Sequence, residues 1–158
     1  MTIWGALAGG VVGTIVLTSS LRLAQELGWT RMDIPLLLGS AFTDNRSVAV
    51  VFGYGIHFAN GIVFSLGYYG IFRAVGQAGW GFGAVLGVVH ALFFGSGLTL
   101  LLPAVHPRMG TPWSDAEETP LLEPPGFLLM NYGRRTAIWT LLAHVAYGAI
   151  VGGFAAGF

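Results

Sequence analysis

Four long stretches of this chain carry no charged residue, and each is about long enough to cross the ~30 Å hydrocarbon core of a bilayer. They cover residues 3–21, 47–72, 79–102 and 136–158. In hydrocarbon a backbone must satisfy its own hydrogen bonds, so a span of this length is expected to be α-helical. The expected fold class is all-α: an integral membrane four-helix bundle, one transmembrane domain over residues 1–158.

Composition agrees with this. Charged residues make up 9% of the 158, against about 25% in soluble domains. Seven Arg balance seven acids, and no basic run tracks a phosphate backbone, so a nucleic-acid partner is not expected. The lack of cysteine excludes disulfides, thiolate metal sites, c-type haem attachment and iron–sulfur clusters. Because no span holds Asp or Glu, a Glu-x-x-His di-iron set is absent too, and a carboxylate proton relay finds no members.

Glycine is abundant, with 25 residues. In a membrane, small residues let helix backbones approach closely. Gly5, Gly9 and Gly13 form one such face on the first span, and its partner is either another helix of the chain or a second copy. The first span has no positively charged leader and no clear cleavage pattern, so it is expected to be a retained helix.

The connections differ in character. Residues 33–42 begin with Asp33 and Pro35, a helix-start signal, and are too short to span; a short helix in the membrane interface is expected. Residues 73–78 form a tight link. Residues 103–135 form a long cytoplasmic cap loop with Pro103, Pro107, Pro112, Pro120, Pro124 and Pro125, which are expected to prevent a continuous helix. This loop gathers Asp115, Glu117, Glu118 and Glu123, then an apolar 126–130, then Arg134 and Arg135 as candidate contacts to a lipid phosphate, a partner or the loop's own acids. Its His106 reads as a surface residue.

Arginine placement sets the expected orientation. Arg22, Arg31, Arg46, Arg108, Arg134 and Arg135 fall in the first and third loops, and only Arg73 falls on the other side. The positive-inside rule then puts loops one and three in the cytoplasm and both termini outside, in a membrane of the bacterial inner type. Trp4, Trp80, Trp113 and Trp139 lie where an interfacial aromatic belt would be.

Three spans carry a histidine near their middle: His57, His90 and His144. At 1.5 Å per residue His57 and His144 lie roughly 12–15 Å deep, and His90, about eleven residues into its own span, also falls near the midplane. Ionisable groups at such depth raise a functional hypothesis by default. His57, Asn60 and Gly61 in the second span repeat in the fourth as His144, Tyr147 and Gly148, the pattern of a duplicated two-helix hairpin. If the imidazoles meet, they form a candidate ligand set for a haem, a metal ion or a chlorophyll-type pigment, with Tyr54, Asn60 and Tyr147 as supporting cofactor-binding residues. The plainer reading is hydrogen bonding between helices, at ~0.6 kcal/mol each.

No nucleophile has an assignable base, and the glycine pairs inside spans are not phosphate loops. The leading expectation is therefore a non-catalytic structural or accessory subunit of a larger membrane complex, or a homo-oligomer, packed through glycine-rich faces in the lipid bilayer. The alternatives are an electron-transfer or pigment protein using the histidines, and a small transporter or channel. For the last, Thr14, Thr18, Tyr54, Asn60, Ser65, Ser96 and Thr99 are the polar residues available to line a path.

Overall fold

The computed structural model describes residues 1–110 and 122–157. The chain is all-helical, with four helices long and apolar enough to cross a membrane. In chain order the helices are α1 (Ile3–Glu26), α2 (Ile34–Gly39), α3 (Arg46–Val75), α4 (Trp80–Leu92), α5 (Thr99–Val105) and α6 (Arg134–Ala156). A π-helical turn, Phe93–Leu98, joins α4 to α5, and a short 3₁₀ segment, Phe127–Tyr132, precedes α6. The expected Trp113, Pro112, Pro120, Asp115, Glu117 and Glu118 features lie outside the described residues, as does Phe158 at the end of the fourth span.

Glycine decides how the bundle closes. The face of Gly5, Gly9 and Gly13 lies against Phe154, Val151 and Tyr147 of α6, so close that an added Cβ at Gly9 would sit 2.9 Å from the Val151 Cα. Gly83 and Gly87 of α4 meet Gly148 and Gly152 on another face of α6 in the same way. The central helix is thus α6, and the small-residue face of α1 finds its partner inside the chain. At the end of the bundle the Thr2 N–H donates to the Ala155 carbonyl at 3.0 Å.

The short helix α2 starts where the sequence places it: the Asp33 carboxylate accepts the Leu36 N–H at 3.0 Å, with Pro35 in the first turn. It packs on α3, where Gly39 abuts Ala49 and Gly53 abuts Pro35. Asn45 caps α3 through the Val48 N–H at 3.1 Å, and Gly76, at φ 76°, ends it.

The third span departs from expectation. Helical structure does not stop before Pro103; it runs to Val105 with Pro103 inside α5. The wider π turn between α4 and α5 breaks the regular ladder instead. Hydroxyls serve carbonyls there: Thr99 donates to the Gly95 oxygen at 2.7 Å and Ser96 to the Leu92 oxygen at 2.5 Å. Side chains of this kind are how membrane helices keep proline and glycine.

Loops one and three are tied together. Trp29 stacks on Trp139 with centroids 5.1 Å apart, and the Thr136 hydroxyl donates to Thr30 at 2.7 Å. Arg31 pairs with Glu123 at 2.9 Å and donates to the Asn131 carbonyl. Tyr132 donates to the Glu123 carbonyl at 2.7 Å. Burial, and secondly the Glu123 carboxylate, push the Tyr132 phenol up to about 12, with Arg31 acting the other way. Met109 and Leu122 bridge side by side, so the ends of the undescribed stretch are pinned together. Leu128 and Leu129 hold left-handed backbone at φ 52° and 62°, and Leu129 is nonetheless buried. Such a conformation in a non-glycine residue costs about 1–3 kcal/mol and persists only where surrounding contacts impose it. Arg134 and Arg135 are exposed; Arg135 lies 5.9 Å from the Trp29 ring centroid, and neither makes an ion pair among the described residues.

Candidate functional site

The helices of α3 and α4 do not lie flat on one another. Aromatic side chains bridge them: Phe72 meets Phe82 at 5.7 Å, Phe64 meets His90 at 4.4 Å, and the Tyr68 hydroxyl shares a 3.2 Å hydrogen bond with His90 Nδ1. Beyond Phe64, toward the loop-one and loop-three end, a cavity of about 300 Å³ opens between α3 and the α4–α5 arm.

The sequence-derived candidates come together here. His57, Asn60, His90, His144 and Tyr147 all line this cavity. Tyr54 does not; it faces a shallow cleft on another side of His57, with Thr18, Arg22 and Asp33. The two matching motifs touch directly, because the Tyr147 hydroxyl donates to the Gly61 carbonyl at 2.5 Å.

The imidazoles are arranged unequally. His90 and His144 stand edge to face, with centroids 4.8 Å apart. His144 Nδ1 lies 2.8 Å from the Thr140 carbonyl. A carbonyl only accepts, so Nδ1 carries the proton, and in the neutral form of such a ring the lone pair sits on Nε2. His57 Nε2 and the Thr140 hydroxyl are both buried, and neither has a hydrogen-bond partner among the described residues. Phe94, carried by the π turn, lies 5.0 Å from the His90 ring and 5.3 Å from Phe64.

His106 corrects the surface reading. It is 8% exposed and lines the cavity beside α2. Its Nε2 donates to the Leu37 carbonyl at 2.9 Å, its Nδ1 accepts the Arg108 N–H at 3.2 Å, and Arg108 donates to the Ser40 carbonyl at 2.7 Å. Leu129, 5% exposed, also reaches this end of the cavity. The rim is apolar and open: Phe42 and Val105 line the cavity while 68% and 74% exposed.

Thr140, Phe64, Phe94, Leu129 and His106 were not singled out as site residues by sequence reasoning. Thr140 had a signal: it lies one turn before His144 and two before Tyr147, on the same helical face. The others depend on how distant segments meet.

The metal and haem readings find no support in this geometry. Among the described residues no group of three His, Asp or Glu is placed to hold a metal ion. The His90 and His144 rings touch each other, leaving no gap for an iron between them.

No known protein family, characterised protein or solved structure matches the chain. The four apolar helices point to the class of polytopic helical membrane proteins.

Proposed function

We propose that this chain is a non-catalytic integral membrane protein that binds a lipid-soluble molecule in the cavity between α3 and the α4–α5 arm. One observation carries the reading: the cavity of about 300 Å³ gathers His57, Asn60, His90 and His144 at its wall and opens through the exposed side chains Phe42 and Val105. Ligand pockets begin at about this size, and most are apolar with a few placed polar groups. An apolar rim favours entry from the bilayer over entry from water.

In this reading loops one and three face the cytoplasm, as their arginines favour, with both termini outside. The short α2 and the segment before α6 lie in the interface and cap the cavity. The glycine faces of α1 and α4 serve packing within the chain, which removes the main argument for a homo-oligomer built through them.

Two measurements test this. Native mass spectrometry of protein released from bilayer nanodiscs should find a bound lipid-soluble molecule with the unmodified chain and not with Val105→Trp, which plugs the rim. No adduct, with a more stable Val105→Trp variant, would identify the cavity as a packing void. Single cysteines at Glu26 and Gln77 in this cysteine-free chain should label from opposite sides, Glu26→Cys from the cytoplasm.

A further inference from the structure

Resting on that reading, we propose that the occupant is a glycerophospholipid of the surrounding bilayer, with one acyl chain in the cavity and its phosphate on the Arg108 guanidinium at the rim.

The cavity wall offers carbon far more than it offers hydrogen bonds. The hydroxyls of Thr14, Thr99 and Tyr147 donate to the backbone carbonyls of Gly10, Gly95 and Gly61. His106 Nε2 is spent on the Leu37 carbonyl. His57 Nε2 and the Thr140 hydroxyl are enclosed by the protein itself, out of an occupant's reach. A polar head seated here would lose its hydration for few partners, which is costly for each group left unpaired. A hydrocarbon chain has no such cost. Leu17, Ile34, Leu38, Ile56, Phe64 and Leu102 all line the space and can pack on methylenes.

Size and opening fit a chain that enters endwise. The volume of about 300 Å³ is twice the ~150 Å³ that accepts benzene, which leaves room for roughly a dozen carbons. The cavity runs from His90 and His144, midway along their spans, to Val105 and His106 at the loop-three end, so an enclosed chain lies along the helices. The lipid's other chain stays in the bilayer beyond the exposed Phe42 and Val105.

A cation stands at the loop end of this cavity. Val105 and His106 belong to its wall, and the Arg108 N–H donates to His106 Nδ1 at 3.2 Å. The half-buried Arg108 side chain reaches across to the end of α2, donating to the Ser40 carbonyl at 2.7 Å, two residues from Phe42 at the rim. That carbonyl is uncharged, so the guanidinium keeps its full charge, and it makes no ion pair among the described residues. Its N–H fork suits the paired oxygens of a phosphate. Asp44 and Arg46, both exposed where α3 begins, balance each other and leave Arg108 as the net positive charge here. Basic pockets at the cytoplasmic side of membrane helices recognise lipid head groups in this way.

Purified protein in maltoside micelles is offered three probes and followed by native mass spectrometry: myristoyl lysophosphatidylglycerol, monomyristoylglycerol and glycerol phosphate. The lysophospholipid is expected to bind at least tenfold more tightly than monomyristoylglycerol, and glycerol phosphate is expected not to bind. Arg108→Gln should reduce that preference to less than threefold, with monomyristoylglycerol binding and a folded thermal transition retained. Arg73→Gln, at the opposite end of α3, should leave the preference unchanged. If Arg108→Gln fails to fold, phenylglyoxal modification of the natural chain decides. There the lysophospholipid should slow reaction at Arg108 at least threefold and leave Arg73 unaffected. Equal binding of the two tailed probes, or Arg108 left equally reactive, would overturn the phosphate assignment and leave the cavity reading intact. Glycerol phosphate binding as tightly as the lysophospholipid would overturn the acyl-chain assignment. Failure of all three probes, or tailed-probe binding unaffected by Val105→Trp, would overturn the cavity reading itself.

Discussion

His90 and His144, from helices α4 and α6, meet edge to face with ring centroids 4.8 Å apart. Each is anchored through Nδ1, His144 to the Thr140 carbonyl and His90 to the Tyr68 hydroxyl at 3.2 Å. The pair is therefore a packed, hydrogen-bonded contact between α4 and α6.

The His144 tautomer is open to direct measurement. Imidazole ¹⁵N spectra of the protein in a bilayer should show Nδ1–H at His144, and Tyr68→Phe should leave that signal in place while altering His90. The lost hydrogen bond should lower stability by only ~0.6 kcal/mol, the average for such contacts in membrane proteins. An Nε2–H signal at His144 would contradict the arrangement.

Glycines in two environments should respond oppositely to alanine. At Gly87 an added Cβ would lie 2.8 Å from the Val145 Cα, and at Gly148 it would lie 2.9 Å from the Gly87 nitrogen. Gly87→Ala and Gly148→Ala should each cost about 1–3 kcal/mol through forced separation of α4 from α6. Gly67 and Gly70 of α3 have open space around them, and their alanine variants should be neutral or gain up to ~1 kcal/mol in helix propensity. Reversible unfolding in mixed micelles measures all four.

The segment before α6 should be held by its buried leucine more than by its ion pair. Leu129→Ala is expected to cost about 2–5 kcal/mol of docking, the usual range for a buried leucine. Arg31→Ala should cost about 0–1 kcal/mol, because Arg31 and Glu123 are substantially exposed. Limited proteolysis between residues 122 and 133 should accelerate strongly in the first variant and weakly in the second.

Alkaline pH should loosen the same segment. The Tyr132 phenol ionises near 10 when unfolded and is raised to about 12 when folded, mainly by burial. Its contribution is therefore complete below pH 10 and is lost as pH climbs through about 12. Proteolysis of the segment should rise over that window in the unmodified protein, and Tyr132→Phe should remove most of the rise.

Much of the fold is legible in the residues because lipid imposes one rule on every span. Uncharged stretches of sufficient length have to be helices, and Asp33 with Pro35 marks the start of α2 by local chemistry alone. The candidate site was half legible. His57, Asn60, His90, His144 and Tyr147 share depth and helical face, which is arithmetic on a 3.6-residue period, and all five line the cavity. Tyr54, one turn from His57, turned out to face elsewhere. His106 was misplaced because nothing local announces that Leu37 and Ser40, nearly seventy residues earlier, will enclose it.

From sequence alone came the helical class, the number of apolar spans and their approximate limits, since all of these follow from length, charge and periodicity along a single chain. Only the tertiary structure decided that α6 is the central helix, that the α1 glycines dock on it, and that α3 stands away from the α4–α5 arm by the width of a cavity. Those outcomes depend on how helices rotate about their own axes and which backbones can touch. Rotation is fixed by contacts between residues far apart in the chain, and periodicity within one helix constrains it only weakly.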